Sequence, residues 1–315
     1  MREGRVIVNF SRHALVEDDA GARLDCQVRG RRLQAVCGDR VRFTVQGSGY
    51  GLIEEVLPRR SVLSRHDPHK SQAPLAANVD RMCIVVAPVP TPEPFLIDKY
   101  TVAAALLGIE PLIVMNKVDL GDGADTALAE ALAELLADYA ELGIPTLAVS
   151  TIDGRGLDGF RAELVGRTSI VVGPSGVGKS SLVKRLVPDL DLRIGEISRA
   201  SGEGKHTTTR TTLFDLPGGG ALLDSPGVRD FYLWPMALRD LGSGFVEFRA
   251  LAARCKFGDC SHRVEPACAV RAAVEAGELL TRRYESYLGL TRIMEKQYGW
   301  EEEKRKKCGR SKDER

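Results

Sequence analysis

Residues 169–186 read Ser-Ile-Val-Val-Gly-Pro-Ser-Gly-Val-Gly-Lys-Ser-Ser-Leu-Val-Lys-Arg-Leu. A short strand-like run, Ser169 to Val172, leads into Gly173-Pro174-Ser175-Gly176-Val177-Gly178-Lys179-Ser180, and Ser181 opens a segment with helical spacing. The pattern GxxxxGK[ST] between a strand and a helix is a phosphate-binding loop. Its glycines let backbone N–H groups turn inward around phosphate oxygens, and the helix start adds the positive end of its dipole. Lys179 supplies a point charge and Ser180 can ligate Mg²⁺. A strand that ends in such a loop belongs to a parallel sheet flanked by helices, so this stretch fixes an α/β core.

Upstream, the apolar run Pro111 to Met115 leads into Asn116-Lys117-Val118-Asp119, which matches NKxD. The Asp119 carboxylate can accept from both the ring N–H and the exocyclic amino group of guanine. Adenine lacks that donor pair, and a wrong base would leave the charge poorly paired. Ser150, after the strand-like Pro145 to Val149, stands where it can brace the base site. Downstream, Asp224-Ser225-Pro226-Gly227 follows Ala221-Leu222-Leu223 and matches DxxG. There the Asp holds Mg²⁺ through water and the Gly227 amide senses a γ-phosphate. Between loop and DxxG lies Gly204-Lys205-His206-Thr207-Thr208-Thr209, where a threonine hydroxyl can complete the Mg²⁺ shell.

The base-reading motif and Ser150 thus precede the phosphate loop, the reverse of the usual order. The same sheet can still be built, because every motif stays on the carboxyl edge of the strands. The expected activity is Mg²⁺-dependent GTP hydrolysis to GDP and phosphate on a circularly permuted chain.

A second cluster, Cys255, Cys260, His262 and Cys268, offers three thiolates and one imidazole, enough for a closed tetrahedral Zn²⁺ site. A closed site is structural and staples a turn-rich segment. Seven cysteines, an odd number, with no apolar leader behind Met1-Arg2-Glu3 argue against a disulfide framework. No run approaches the roughly 20 apolar residues of a membrane span. A cytoplasmic protein with no membrane partner is expected.

The first 60 residues are short strand-like runs punctuated by glycine, the clearest being Arg40 to Val45, where polar and apolar residues alternate. They predict a small five-stranded β-barrel of the oligonucleotide-binding (OB-fold) kind, with its arginines outward. Residues 1–66 hold 12 arginines, no lysine and 8 acidic residues, an excess of four positive charges that would suit an anionic partner. The predicted architecture is multidomain. An OB-fold β-barrel spans 1–66 and a linker without periodicity 67–80. A central α/β P-loop GTPase domain of permuted topology follows over 81–235, and a mostly helical zinc-binding domain with a basic tail over 236–315. The tail beyond Glu301 is expected to fray.

With those residues in view, the chain resembles the ribosome small subunit-dependent GTPase A family, also called RsgA or YjeQ. The likeness rests on Gly38-Asp39-Arg40-Val41, Ala77-Asn78-Val79-Asp80, the permuted motifs, Gly204 to Thr209, and Glu265-Pro266 between the last two zinc ligands. It implies GTP/GDP, Mg²⁺ and one structural Zn²⁺ as cofactors. It further implies action late in maturation of the small ribosomal subunit, contact with its ribosomal RNA, and turnover stimulated by that particle; a monomer is expected. Val228 stands where many GTPases carry a water-positioning glutamine, and the resemblance suggests His206 for that role. Two other readings stay open at this point: an RNA-binding assembly chaperone that uses GTP only as an occupancy switch, and an ATP-using P-loop enzyme.

Overall fold

The computed structural model describes all residues except 11–12, 31–32, 48, 68–69, 122–125, 188–189, 191–210, 225–235, 237 and 311–315; side chains of 65–67, 70–73, 126 and 297–310 are likewise outside the description. The chain divides into two compact units, residues 1–92 with 107–231, and residues 93–106 with 232–315.

The first unit opens with β1 (Arg2–Asn9), β2 (His13–Asp18), β3 (Arg23–Val28), β4 (Arg40–Val45) and β5 (Gly51–Val56). These pair in the order β1-β2-β3-β5-β4, and β4 returns to β1, so the ring closes into a five-stranded barrel without a free edge. The alternation read from sequence holds in β4: Val41 and Phe43 are fully buried, while Arg40 and Arg42 lie on the other face. Inside, Val6, Val16, Cys26 and Ile53 join them in one apolar cluster. The outward arginines are paired: Arg40 with Asp19 and Glu3, Arg42 with Glu3 and Glu55.

One expectation is corrected. Residues 67–80, read as a linker, contain most of a hairpin in which β6 (Val62–Asp67) pairs antiparallel with β7 (Lys70–Ala77). Period-two alternation fails there because irregularities shift the register between Leu63 and Ser64 and between Arg65 and Asp67.

The nucleotide half of this unit adds β8 (Arg81–Val86), β9 (Glu110–Met115), β10 (Thr146–Ala148), β11 (Thr168–Val172), β12 (Thr212–Asp215) and β13 (Ala221–Asp224). The order β10-β9-β8-β11-β13 is parallel throughout, and β12 adds an antiparallel edge to β13. That edge also bridges to barrel strand β1 at Val8 and Thr212. Central β8 is buried along its whole length, and from Met82 on it reads as continuous apolar sequence. Helices α2 (Thr126–Glu141), α3 (Leu157–Leu164) and α4 (Lys179–Leu186) follow β9, β10 and β11 in the chain. From α4, Leu182, Val183 and Leu186 enter the cluster formed by Val85, Val114 and Phe160; each such side chain contributes about 2 kcal/mol by burial.

The second unit takes in α1 (Pro94–Leu107) up to residue 106, a segment the sequence reading placed with the nucleotide domain. The rest is α5 (Leu238–Ser243), α6 (Val246–Ala252), α7 (Ala269–Glu275) and α8 (Thr281–Arg310). The mostly helical expectation holds, and α8 continues to Arg310 through the tail expected to fray. Arg283, 2% exposed, donates to Asp98 of α1 at 2.6 Å and to Glu247 of α6 at 2.7 Å, and so ties three helices of this unit together.

Candidate functional site

The carboxyl ends of β9, β10, β11 and β13 carry Asn116, Ser150, Gly173 and Asp224, the four points at which sequence placed chemistry. Parallel pairing through β8 puts the first three on one edge of one sheet, and Asp224 ends the strand next to β11. The permuted order is therefore no obstacle to convergence, since strand order in space and strand order in chain are independent.

Side chains close the gap between β9 and β11. Asn116 Nδ2 donates to the Val177 carbonyl in the middle of the phosphate loop at 2.8 Å. Lys117, in the left-handed region at φ 61°, sends Nζ to the carbonyls of Gly176, 2.6 Å, and Val89, 2.8 Å. Asn116 Oδ1 is buried and has no protein partner among the described residues, so that acceptor remains for a ligand or water.

The loop itself wraps its own lysine. Lys179 Nζ donates to the Gly173 carbonyl at 2.8 Å and to that of Pro174. Gly173, at φ 139°, runs so close to β8 that a Cβ there would lie 2.2 Å from the Val85 carbonyl oxygen. Val177 is fully buried, whereas Ser175, Gly176, Ser180 and Ser181 are exposed at the helix start. A loop with exposed residues at the N-terminus of an eight-residue helix is suited to an anion.

Asp119 lies in a single 3₁₀ turn, Val118–Gly121. Ser150, fully buried, donates from Oγ to Asp119 Oδ1 at 2.6 Å and accepts from the N–H groups of Ile152 at 3.1 Å and Asp153 at 3.3 Å. A carboxylate held this way keeps its other oxygen free of competing torsional motion and aims it at a fixed point. The expected switch residues His206, Thr207, Thr208, Thr209 and Gly227 lie outside the described residues.

In the second unit, Cys255, Cys260, His262 and Cys268 gather their ligand atoms within 4.8 Å of one another. His262 Nδ1 lies 3.6 Å from Cys255 Sγ and 3.5 Å from Cys268 Sγ, and those two sulfurs are 4.0 Å apart. A tetrahedron with Zn–S of about 2.3 Å and Zn–N of about 2.0 Å has S···N edges of about 3.5 Å and S···S edges of about 3.8 Å. The donor set therefore fits such an ion. Burial and the adjacent sulfurs push the Cys260 thiol up to about 12, so a thiolate set here needs a cation among it. Burial also lowers His262, which keeps its ring neutral and able to ligate.

Sequence reasoning missed the frame around this cluster. Glu265 accepts N–H groups from Ser261 at 2.7 Å, Arg263 at 3.1 Å and Val264 at 3.2 Å. Burial would raise its carboxyl, but those donors outweigh it and hold the group at about 2. Tyr284 and Tyr287 of α8 donate to the carbonyls of His262 and Ser261. A conspicuous Glu-Pro between two ligands was the available signal for the first; nothing in local spacing marks the tyrosines. Lys117's link to Val89 was also unread, since it depends on where β8 ends in space.

Comparison with known proteins agrees with this geometry. A family model described as RsgA GTPase matches residues 56–234. The protein named small ribosomal subunit biogenesis GTPase RsgA of Pseudomonas aeruginosa is 45% identical over 284 residues, covering 90% of this chain and 83% of that relative. Its namesake from Chromohalobacter salexigens is 45% identical over 292 residues, covering 91% and 84%. Among solved structures, YjeQ from Thermotoga maritima superposes with a TM-score of 0.77 at 33% identity, covering 93% of this chain and 98% of that one. YloQ, described as a circularly permuted GTPase, gives 0.76 at 27% identity, covering 94% and 96%.

Proposed function

The chain belongs to the RsgA GTPase family, and from that premise we propose that it hydrolyses GTP on the small ribosomal subunit during late maturation, at the carboxyl edge of β8–β11 and β13. In this reading Asp119 accepts from the guanine ring N–H and amino group, with Ser150 holding it and Asn116 and Lys117 joining the base loop to the phosphate loop. The amides of Gly173 to Ser181 bind phosphate oxygens and Lys179 moves from its carbonyl partners to the β- and γ-phosphates. Ser180 and Asp224, with one of Thr207 to Thr209, would hold Mg²⁺. The ion would supply charge neutralisation for the transferred phosphoryl group.

His206 orients the attacking water in this reading, and Gly227 senses the γ-phosphate. Water attacks phosphorus, the bond to the bridging oxygen breaks, and GDP and phosphate leave. The Cys255, Cys260, His262 and Cys268 set holds one structural Zn²⁺. No helix among the described residues is long and apolar enough to cross a membrane. In this reading the protein is a monomeric cytoplasmic factor that meets ribosomal RNA through barrel and zinc module.

The observation that carries the reading is the 2.8 Å bond from Asn116 Nδ2 to the Val177 carbonyl, because it makes the base loop and the phosphate loop one site. The test is GTP turnover with and without purified small subunits at stated salt. Stimulation in the wild type that His206→Ala abolishes, with GDP binding intact, supports it. Turnover indifferent to small subunits would sink it.

A further inference from the structure

A row of residues runs from the barrel to the magnesium side of the nucleotide site. Val8 of β1 stands opposite Thr212 of β12, and Thr212 opposite Asp224 at the end of β13. Two strand spacings therefore separate a barrel residue from the aspartate of DxxG. β12 also follows residues 191–210 directly in the chain, so it sits between both segments that sequence assigns to sensing the γ-phosphate.

The seam between β1 and β12 is held by charge. Arg5 of β1 reaches Asp215 of β12 at 2.5 Å and Glu17 of β2 at 3.3 Å. Arg23 of β3 reaches the same Glu17 at 2.9 Å and the same Asp215 at 3.7 Å. Arg5 and Glu17 are register partners, as are Glu17 and Arg23. Three neighbours across the barrel thus present alternating charge on one face, and the fourth corner comes from the nucleotide half. An isolated exposed pair contributes little, but a closed ring constrains each charge from two sides. No side chain in it is more than 39% exposed.

We propose that Arg5 and Asp215 are positioning residues for stimulated GTP hydrolysis: the ring clamps β12 to the barrel, so an anionic polymer loading the barrel shifts the placement of Asp224. The partner class follows from the excess of four positive charges over residues 1–66, the barrel strands taken together with the arginine-bearing segment that follows them, and ribosomal RNA of the small subunit is that polymer under the function proposed above, on which this inference rests. The coupling element is rigid paired backbone. It has a stated route: barrel strand, β12, β13, Asp224.

The experiment compares wild type, Asp215→Asn, Asp215→Glu and Arg5→Gln for GTP turnover across a range of small-subunit concentrations, with GDP affinity as the check on folding. Asp215→Asn removes the charge facing both arginines. Its saturating stimulated rate should fall about tenfold, mid-range for coupling between sites, with GDP affinity and the half-saturating subunit concentration within about twofold of wild type. Asp215→Glu should recover at least half of the loss, and Arg5→Gln should reproduce it from the barrel side. Unchanged stimulation in Asp215→Asn and Arg5→Gln overturns the inference, as does a loss confined to subunit binding. A wild-type chain that small subunits fail to stimulate overturns the proposed function instead.

Discussion

Asn116 Nδ2 stands 2.3 Å from the point where Gly178 would carry a Cβ, and the same nitrogen donates to the Val177 carbonyl. The glycine is required twice over, by that approach and by its φ of 93°. Gly178→Ala should strain the loop by about 1–3 kcal/mol and break the bond to Val177. GDP affinity measured by calorimetry should fall at least tenfold. Affinity within twofold of wild type would show that base loop and phosphate loop are not one site.

Ser150→Ala removes the hydroxyl that Asp119 accepts from at 2.6 Å and leaves the Ile152 and Asp153 N–H groups without that acceptor. A hydrogen bond to a charged group is worth about 1.5–3 kcal/mol. GDP binding should weaken between tenfold and hundredfold, and the preference for GDP over ADP should narrow. Equal loss toward both nucleotides would move Ser150 from base reading to general stability.

Arg283 faces Asp98 at 2.6 Å and Glu247 at 2.7 Å in the interior of the second unit, and Arg282 lies 3.7 Å from Asp98. Arg283→Met would leave two buried carboxylates short of their partner, costing about 3–5 kcal/mol. Thermal unfolding should show the second unit melting early while GDP still protects the first. A single transition shifted by less than a degree would contradict the buried pairing.

The proposed zinc site can be tested by a thiol count. Burial pushes Cys26 and Cys83 up to about 12 and raises Cys37 further, so all three stay protonated and unreactive at pH 8 in the folded chain. Chelator treatment should expose Cys255, Cys260 and Cys268 to a thiol reagent, with loss of helical signal from the second unit and little change in GDP affinity. Three reactive thiols beyond the one Cys308 can supply, without chelator, would mean that the cluster holds no ion.

Local patterns were legible where backbone geometry is carried by neighbours in the chain. Gly173 to Ser180 needs its glycines within eight residues, and Asn116 to Asp119 needs only four, so each motif was legible at once. The period-two run Arg40 to Val45 likewise announced a half-buried strand. Reading failed over 67–80, where shifted register hides alternation, and at α1, whose sequence gives no sign that it shares a unit with α8.

Composition and motif spacing by themselves determined that this chain binds guanine nucleotide in a permuted α/β domain, with a barrel before it and a cysteine-histidine cluster after it. Only the tertiary structure decided that Lys117 reaches Val89, that Glu265 secures the ligand loop, and that Arg5 meets Asp215 across 210 positions. The reason is range: dihedral preference and binary pattern act over a few residues, whereas hydrogen bonds and ion pairs between distant segments depend on register, and register is settled by packing.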